Sequence, residues 1–251
     1  MTSQKSTVGL VTGGCSKIGT HITKWLHSHN YNLCIHYSSN KTSAEKLAEE
    51  LNQSRPDSAF IYQLNFASSS ISEVQKMVDE TANKWGQFDL LVNNASVFNG
   101  TSLEDGQLFE ADYDQQMTVN VKIPALLIQS SIKYLKVSKI GCIVNLCDVH
   151  GLRPLHGFMS YSVSKAAIIS LTQCMAKELG ESYGIRVNGI SPGAIFPAPP
   201  GIESSAVAIS KNVFKKFGNV ESILSALKFL LESDFVTGQI INVDGGSSLN
   251  Q

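Results

Sequence analysis

The sequence predicts an α/β fold in which a parallel sheet is covered by helices on both faces. Short apolar runs alternate with segments of helical periodicity along the 251-residue chain, and this alternation is typical of right-handed βαβ units. The helical segments are about 10–25 residues long, which suits the crossover between parallel strands. Glycine-rich or polar stretches also follow several of the apolar runs, where ligands bind in folds of this class.

Seven apolar runs are predicted as strands, at residues 8–12, 33–37, 59–63, 89–94, 142–146, 186–190 and 239–243. Helical periodicity predicts helices at about 18–26, 43–51, 71–84, 113–137, 161–182 and 220–231. Ser43 is a candidate N-cap of the second helix, and proline- and glycine-rich residues 191–201 are predicted as a loop. Because the sequence contains no linker and no internal repeat, residues 1–251 are predicted to form one doubly wound Rossmann-type domain with about seven strands.

Composition limits the classes of function. Charged residues make up 16% of the chain and the formal net charge is −1, so there is no basic field for nucleic acid or an anionic membrane. The polar stretch 1–7 leads into an apolar run that is too short for a signal peptide or a spanning helix. The five cysteines are scattered without Cys-x-x-Cys spacing, and the six histidines form no metal-like pattern. We therefore expect a cytoplasmic protein with free thiols and no metal.

Tyr161 and Lys165 are the most informative pair of residues. They are four residues apart in a predicted helix, so their Cβ atoms share one face, about 5–6 Å from each other. An ammonium at that distance favours phenolate over phenol and lowers the tyrosine pKa from about 10 toward the working range of a general acid. The spacing alone fits equally well a surface tyrosine and lysine on an amphipathic helix. Other motifs have to decide between the two interpretations.

Three further motifs lie at the carboxyl ends of predicted strands. The first, Thr12-Gly13-Gly14-Cys15-Ser16-Lys17-Ile18-Gly19, places glycines where the backbone turns toward a pyrophosphate before a helix N-terminus. Asn93-Asn94-Ala95 follows the fourth strand, and Pro192-Gly193 follows the sixth. With the Tyr161/Lys165 pair, these motifs resemble the short-chain dehydrogenase/reductase family in residues and in order, over nearly the whole chain.

The resemblance implies an NAD(P)-dependent reductase with Tyr161 as the acid. Lys165 then grips the nicotinamide ribose and tunes Tyr161, and Asn120 supports Lys165 through a water molecule. The two longest predicted helices and segment 237–246 resemble the surfaces through which the family forms tetramers, so we expect a homotetramer. The positions that the resemblance assigns to the cofactor are Gly13, Lys17, Ile18, Gly19, Tyr37, Ser38, Ser39, Asn65, Asn94, Ala95, Ser96, Tyr161, Lys165, Pro192, Gly193 and Ile195.

NADPH is the expected cofactor. An NAD site normally carries an acidic residue at the end of the second strand to bind the ribose 2′-hydroxyl, whereas residues 36–41 contain none. Lys17 adds a cation, and Ser38 and Ser39 add hydroxyls, all of which suit a 2′-phosphate. The alternative for Lys17 is an ordinary solvated lysine. Asn65 stands where the family usually has an aspartate near the adenine, and its amide can still donate and accept.

Asp148 narrows the chemistry. It stands 13 residues before Tyr161, where most of the family carries a serine that hydrogen-bonds a substrate carbonyl. A carboxylate about 4 Å from a developing alkoxide would repel it by about 4 kcal/mol at an effective dielectric of 20, roughly a thousandfold in rate. A protonated imine nitrogen is instead favoured by that charge. The alternative is that Asp148 only caps a turn while Cys147, or no side chain, replaces the serine.

With Asp148 at this position, the chain also resembles the pteridine reductase branch of the family. The same resemblance is found at Lys17, at His36-Tyr37, at residues 93–98 and at residues 192–195. By that resemblance, the aromatic ring at position 98 stacks on the pterin opposite the nicotinamide, and the serine at 96 contacts both cofactor phosphate and pterin. The implied substrate contacts are Ser96, Phe98, Asp148 and Tyr161.

We therefore predict an NADPH-dependent pteridine reductase that reduces a C=N bond of a dihydropterin such as dihydrobiopterin or dihydromonapterin, or of dihydrofolate. The predicted catalytic residues are Asp148, Tyr161, Lys165 and Asn120. One alternative is a carbonyl reductase of the 3-oxoacyl-carrier-protein or sugar-ketone type. Another is a nucleotide-sensing or scaffold protein that kept the fold without catalysis, which the intact Tyr161/Lys165 pair disfavours.

Overall fold

A seven-stranded parallel sheet forms the centre of the computed structural model, which describes residues 6–197 and 205–249. The strands are β1 (Thr7–Val11), β2 (Tyr31–Tyr37), β3 (Ala59–Gln63), β4 (Leu90–Asn93), β5 (Cys142–Leu146), β6 (Arg186–Pro192) and β7 (Ile240–Val243). Their order across the sheet is β3-β2-β1-β4-β5-β6-β7. The chain reverses its direction of travel across the sheet between β1 and β4, which is the doubly wound arrangement predicted from the sequence.

Helices cover both faces of the sheet, as predicted. They are α1 (Lys17–Ser28), α2 (Lys41–Ser54), α3 (Ile71–Trp85), α4 (Gly106–Met117), α5 (Ile123–Leu135), α6 (Met159–Tyr183), α7 (Ser205–Ser210) and α8 (Val220–Glu232). The sequence did not indicate the short α7. None of the helices within the described residues is long and apolar enough to cross a membrane.

The core consists of two apolar clusters, one on each face of the sheet. Successive strand residues point to opposite faces, so fully buried Leu90 joins one cluster and its neighbour Leu91 joins the other. The first cluster takes its helical partners from α1, α2 and α8, and the second takes them from α3, α5 and α6. A sheet buried on both faces leaves the carboxyl ends of the strands as the edge where ligands can approach.

The predicted N-cap of the second helix is wrong. The helix begins at Lys41, and Asn40 is its cap, since the Asn40 side chain accepts a hydrogen bond from the backbone N–H of Ser43 at 3.1 Å. Asparagine and serine are both good N-caps. The local sequence therefore did not distinguish a helix that starts at residue 43 from one that starts two residues earlier.

The predicted single helix at 113–137 is confirmed in part, since helical structure continues from Gly106 to Leu135 with a π-helical turn inside it. The helix starts at Gly106, where Asp105 caps it, and a π-helical turn at Thr118–Lys122 separates α4 from α5. Pro124 explains the break, because proline has no N–H to donate to the carbonyl four residues earlier and its ring would clash with it. That carbonyl belongs to Asn120, at the centre of the π turn.

The predicted loop at 191–201 begins two residues later than expected. Ser191 and Pro192 continue β6, and residues 198–201 lie outside the part of the chain that the structure describes.

Candidate active site

A cavity of 590 Å³ lies beyond the carboxyl ends of the central strands. It is called the catalytic cavity below, because the candidate catalytic residues Asp148, Tyr161 and Lys165 line it. The turn after β1 contributes Lys17 to its wall, the segment after β4 contributes Ser96, and the segment after β5 contributes Asp148. Tyr161 and Lys165 reach it from α6. The structure therefore brings the four predicted motifs together at one edge of the sheet.

The glycine-rich turn requires glycine at two positions, for different reasons. Gly13 has a φ of +59°, which favours glycine. A Cβ atom on Gly19 would lie 2.1 Å from the Gly13 carbonyl oxygen. The Asn94 amide then fixes the turn by donating to the carbonyl oxygens of Thr12 and Gly13 at 2.8 and 3.0 Å.

The N-terminus of α1 is open toward the cavity. Ser16 is the N-cap residue, but its hydroxyl donates to the Gly13 carbonyl at 2.7 Å and caps no N–H group of the helix. The first turn carries no acidic residue, and Lys17 is exposed there. Uncapped N–H groups, the positive end of the helix dipole and an adjacent lysine all suit a phosphate. The residues present therefore fit the pyrophosphate of a dinucleotide.

A second cavity of 350 Å³ adjoins the first and shares Ser16 and Ser96 with it. Predicted cofactor residues from the ends of β2 and β3 line this second cavity, namely Tyr37, Ser38, Ser39 and Asn65. Its described lining contains no carboxylate, in agreement with the sequence. Lys17, however, lines the catalytic cavity, where its Nζ lies 5.9 Å from the centroid of the Phe196 ring.

His36 supports the glycine-rich turn, a role that the sequence analysis missed. Its Nδ1 accepts from the Gly13 N–H at 3.0 Å, and its Nε2 lies 2.9 Å from the Leu64 carbonyl oxygen. Because a carbonyl can only accept, the proton is on Nε2 and the imidazole is neutral. Its ring stacks on Phe66 with 4.0 Å between centroids. Burial lowers the pKa of His36 to about 4.

Tyr161, Asp148 and Lys165 form the polar centre of the catalytic cavity. The Tyr161 hydroxyl donates to Asp148 Oδ2 at 2.8 Å. The Lys165 ammonium donates to the Leu146 carbonyl at 3.1 Å and lies 5.5 Å from the centroid of the Tyr161 ring. Tyr161 and Lys165 are both buried, with 6% and 4% of their surface exposed. A phenol, a carboxylate and an ammonium therefore share one site, in which the phenol and the ammonium are buried.

The predicted lowering of the Tyr161 pKa is wrong in this structure. Burial, followed by the charge of Asp148 and the hydrogen bond to it, raises the pKa of Tyr161 well above its usual value. Burial lowers the pKa of Lys165, and the nearby Asp148 opposes that effect. The direct contact of the phenol with a carboxylate outweighs the ammonium that the helical spacing places nearby. Tyr161 is therefore held as a protonated phenol.

Asp148 has two contacts, and they reconcile the two interpretations of this residue. Its Oδ1 accepts from the backbone N–H of His150 at 2.8 Å, so it does cap the short 3₁₀ turn Val149–Gly151. Its Oδ2 remains for Tyr161. Cys147 is buried beside it, with its thiol 3.7 Å from the Asn145 carbonyl oxygen. The cap and the place in the catalytic centre thus belong to the same side chain.

Asn120 lies in the π turn and is nearly fully buried. Its Oδ1 accepts from the Val97 N–H at 2.9 Å and from the Ser96 hydroxyl at 3.1 Å. Its Nδ2 donates to the Val97 carbonyl and to the Ser164 hydroxyl, both at 3.0 Å. The described side-chain contacts of Asn120 therefore hold the loop after β4 against α6, and the predicted water link to Lys165 stays a prediction.

Phe98 is 38% exposed and lines the catalytic cavity. One face of its ring stacks on Phe158 with 4.6 Å between centroids and 11° between planes. The edge-to-face contact with Tyr161 also has 4.6 Å between centroids. A flat aromatic surface is thus set next to the Tyr161–Asp148 pair.

Comparisons with known proteins agree with this geometry. A family profile described as enoyl-(acyl carrier protein) reductase matches residues 13–248. The chain belongs to the short-chain dehydrogenase/reductase family. Family members of this kind use a nicotinamide cofactor, so the chain is an NAD(P)-dependent oxidoreductase.

Curated relatives of this chain in the same family have more than one activity. Pteridine reductase 1 of Leishmania tarentolae is 31% identical over 287 residues, covering 100% of this chain and 99% of the relative. The 3-oxoacyl-[acyl-carrier-protein] reductase FabG of Staphylococcus aureus is 32% identical over 242 residues, covering 94% and 96%. An uncharacterized oxidoreductase of Thermotoga maritima is 32% identical over 252 residues, covering 96% and 97%.

The remaining predicted residues of this short-chain dehydrogenase/reductase line the two cavities, and their roles stay predictions. Ile18, Pro192, Gly193 and Ile195 line the catalytic cavity, and Gly13 and Ala95 line its neighbour. Several wall residues were not predicted from the sequence, namely His150, Leu155, Phe196, Lys211 and Ser247. They come from loops whose sequence carries no periodic signal. The described residues contain no group of three or more His, Cys, Asp or Glu that could hold a metal ion.

Proposed function

We propose that this protein is an NADPH-dependent pteridine reductase that reduces a C=N bond of a dihydropterin, with dihydrofolate as a further substrate of the same class. The observation that carries the proposal is the contact between Asp148 Oδ2 and the Tyr161 hydroxyl inside the catalytic cavity. The resemblance of residues 93–98 and 192–195 to the pteridine reductase branch and the similarity to pteridine reductase 1 support it.

The electrostatics of this centre favour an imine over a ketone. A ketone becomes an alkoxide as it is reduced, and a carboxylate about 4 Å away opposes that charge by about 4 kcal/mol at an effective dielectric of 20. An iminium-like nitrogen is positive before hydride arrives, so the same carboxylate stabilises it. Tyr161 also has a raised pKa, which makes the phenol a poorer proton donor to an alkoxide.

Each residue has a defined task in the proposed reaction. NADPH, when bound, supplies the hydride that goes to the carbon of the C=N bond. Asp148 holds the proton at the substrate nitrogen, and Tyr161 shares its hydroxyl proton with Asp148 Oδ2. Lys165 supplies positive charge beneath the Tyr161 ring and is proposed to bind the nicotinamide ribose. The ring of Phe98 is proposed to stack on the pterin. The hydroxyl of Ser96 is proposed to contact both the pterin and a phosphate of the cofactor.

The finer cofactor and assembly assignments are part of the same proposal. The lack of a carboxylate in the described lining of the cavity at Ser38 and Ser39 supports NADPH over NADH. Lys17, in the first turn of α1, is proposed to reach the 2′-phosphate, which only NADPH carries, although its side chain lines the neighbouring cavity in this structure. We also propose a single domain and a homotetramer built through α4, α5, α6 and the β7 region, as the family resemblance implies.

A carbonyl reductase is the second candidate. It is favoured by the similarity to the 3-oxoacyl-[acyl-carrier-protein] reductase of Staphylococcus aureus, which is as high as the similarity to pteridine reductase 1. The Tyr161/Lys165 pair serves either reaction. The carboxylate at Asp148 is the feature that separates the two proposals.

The direct test is NADPH oxidation with dihydrobiopterin, dihydromonapterin and dihydrofolate beside a 3-oxoacyl thioester and an activated sugar ketone. Turnover of at least one pterin at about tenfold or more above every ketone is expected, since a difference of about 1.4 kcal/mol already gives that ratio. Ketone reduction without pterin reduction selects the carbonyl reductase. No NADPH oxidation with any substrate selects a nucleotide-binding protein without catalysis.

Substitution of Asp148 tests the charge itself. Asp148→Ser restores a hydroxyl for a ketone and removes the carboxylate, so pterin turnover should fall at least about tenfold while ketone turnover holds or rises. Asp148→Asn is the matched control, because it keeps the volume and removes the charge. Full pterin activity in Asp148→Asn would contradict the electrostatic argument. Parallel loss of both activities in Asp148→Ser would indicate that the carboxylate serves mainly as the cap of the 3₁₀ turn.

A further inference from the structure

Two buried side chains, one helical turn apart, hold the backbone on either side of Phe98. Asn120 binds the residue before it, through the N–H and the carbonyl of Val97 at 2.9 and 3.0 Å. Gln116 binds the residue after it, since its Nε2 donates to the Asn99 carbonyl at 3.2 Å. Gln116 is fully buried, and 3% of Asn120 is exposed. The family resemblance assigns a role to Asn120 and none to Gln116.

Asp112 orients the Gln116 amide. The Gln116 Nε2 also donates to Asp112 Oδ1 and Oδ2, at 2.8 and 3.0 Å. The Thr101 hydroxyl lies 3.2 Å from Asp112 Oδ2 and accepts from the Ser160 N–H at 3.1 Å. Ser160 immediately precedes Tyr161 on α6. One hydrogen-bonded network therefore runs from α4 through the loop after β4 to the start of the catalytic helix.

The side chain of Gln116 does more than fill space in the core. Its Oε1 has no hydrogen-bond partner in the described part of the chain, although it is buried. An unpaired buried acceptor is costly, so an apolar side chain of the same shape would suit the site better if filling space were its only task. The donor Nε2, directed at the loop, is what this side chain contributes.

We propose that Gln116, oriented by Asp112, is a positioning residue that fixes Phe98 against the Tyr161–Asp148 pair and so sets the substrate affinity of the site. The inference rests on the proposed function in one respect, namely that Phe98 contacts the substrate. Without Gln116, the Asn99 carbonyl loses its buried donor, and the Asn99 side chain is still held by its exposed contact with Gln115 Oε1 at 3.0 Å. The Phe98 ring then loses its fixed position beside the Tyr161–Asp148 pair. Misplacement of a binding group by about 1 Å is enough to cost up to about a hundredfold in rate.

Two variants test the inference. Gln116→Leu keeps the approximate volume and removes the donor. The double variant Asp112→Asn with Gln116→Glu exchanges donor and acceptor, so the bond between 112 and 116 re-forms and the charge of the pair is unchanged. A glutamate at 116 has no N–H for the Asn99 carbonyl. The double variant therefore restores the contact within α4 and leaves the contact to the loop broken.

Steady-state kinetics with the best dihydropterin and hydrogen–deuterium exchange of residues 95–101 provide the readouts. We expect both variants to raise the KM for the pterin at least about fivefold, with the KM for NADPH within about twofold of the parent. Exchange at 95–101 should accelerate in both. The melting temperature should fall in both, because Gln116→Leu leaves the Asp112 carboxylate without this donor and the double variant buries a carboxylate against the Asn99 carbonyl. Recovery of the pterin KM in the double variant would overturn the inference, because the contact within α4 would then suffice.

The exchange measurement separates failure of this inference from failure of the proposed function. If the parent oxidises NADPH with no dihydropterin, the proposed function is wrong, and exchange at 95–101 still decides whether Gln116 holds the loop. Unchanged exchange in both variants overturns the inference whatever the substrate is. If Gln116→Leu does not fold, the double variant alone decides, because its internal contact is restored.

Discussion

At the scale of single residues, the contact between Tyr161 and Asp148 determines how the phenol behaves. The carboxylate accepts the phenolic proton at 2.8 Å and, together with burial, raises the pKa of Tyr161. A phenol in this environment keeps its proton throughout the neutral range. Its proton is therefore available to a substrate mainly through the carboxylate, which couples the two side chains into one proton-donating unit.

Removal of the Tyr161 hydroxyl tests its place in that unit. Tyr161→Phe should lower turnover by about 100- to 10,000-fold, the usual cost of losing a general acid. NADPH affinity, measured by fluorescence titration, should change by less than about threefold if the loss is in proton transfer. Turnover that stays within about threefold of the parent would show that Asp148 alone, or solvent, supplies the proton.

The proposed role of Lys17 in selecting NADPH over NADH can be tested by a single substitution. Lys17→Ala should weaken NADPH binding by about 1–3 kcal/mol, the value of a hydrogen bond to a charged group, and NADH binding by less. Isothermal titration with both cofactors measures the difference. Equal weakening would place Lys17 on the pyrophosphate, a result compatible with its position beside Phe196 on the catalytic cavity.

Most of the site residues predicted from the sequence line the two cavities, because the carboxyl ends of parallel strands meet at one edge. The sequence did not predict the direction of the Tyr161 pKa shift, since helical spacing reveals the neighbouring lysine and not the carboxylate from another element. It also missed His36 and Gln116. Their partners are the carbonyls of Leu64 and Asn99, 28 and 17 residues away, and a backbone carbonyl leaves no mark in sequence.

At the scale of elements, the break between α4 and α5 has a local cause that the sequence contained. Pro124 lies inside the segment with continuous helical periodicity, and proline interrupts the hydrogen bond to the fourth residue before it. The resulting π turn carries Asn120 to the loop after β4. Periodicity describes which face is apolar, and it does not report a change in helical pitch.

The glycine-rich turn can be tested as an element. Gly19→Ala places a Cβ atom 2.1 Å from the Gly13 carbonyl oxygen and 2.7 Å from the Asn94 amide nitrogen, both of which belong to the turn. The turn must then open, so NADPH affinity should fall at least about tenfold, or about 1.4 kcal/mol. Gly106→Ala is the matched control, because its Cβ atom meets nothing within 4 Å. Unchanged affinity in Gly19→Ala would show that the turn adapts.

At the scale of the whole molecule, β2 contributes a buried titratable group to the stability of the sheet. Burial lowers the pKa of His36 from 6.5 to about 4. A group whose pKa is depressed in the folded state contributes stability that is present above its unfolded pKa and is lost as the pH falls toward the folded pKa. The fold is therefore expected to weaken between pH 6.5 and 4.

His36→Gln provides the comparison, because glutamine can form hydrogen bonds and does not titrate. Between pH 7 and pH 4, the parent should lose on the order of 3 kcal/mol more of its free energy of unfolding than the variant, at about 1.36 kcal/mol for each unit of pKa shift. Urea unfolding at several pH values measures both curves. Parallel curves would show that His36 is solvated or protonated in the folded protein.

The strand order also has a consequence for how the chain folds during synthesis. β1 is an interior strand that pairs with β2 on one side and with β4 on the other, and its pairing with β4 joins residues 81 positions apart, such as Gly9 and Leu90. When the first three strands have left the ribosome, one edge of β1 is still unpaired. The nascent half-sheet therefore presents the unpaired N–H and C=O groups of β1 until β4 arrives, and closure of that long loop is expected to be a slow step in folding.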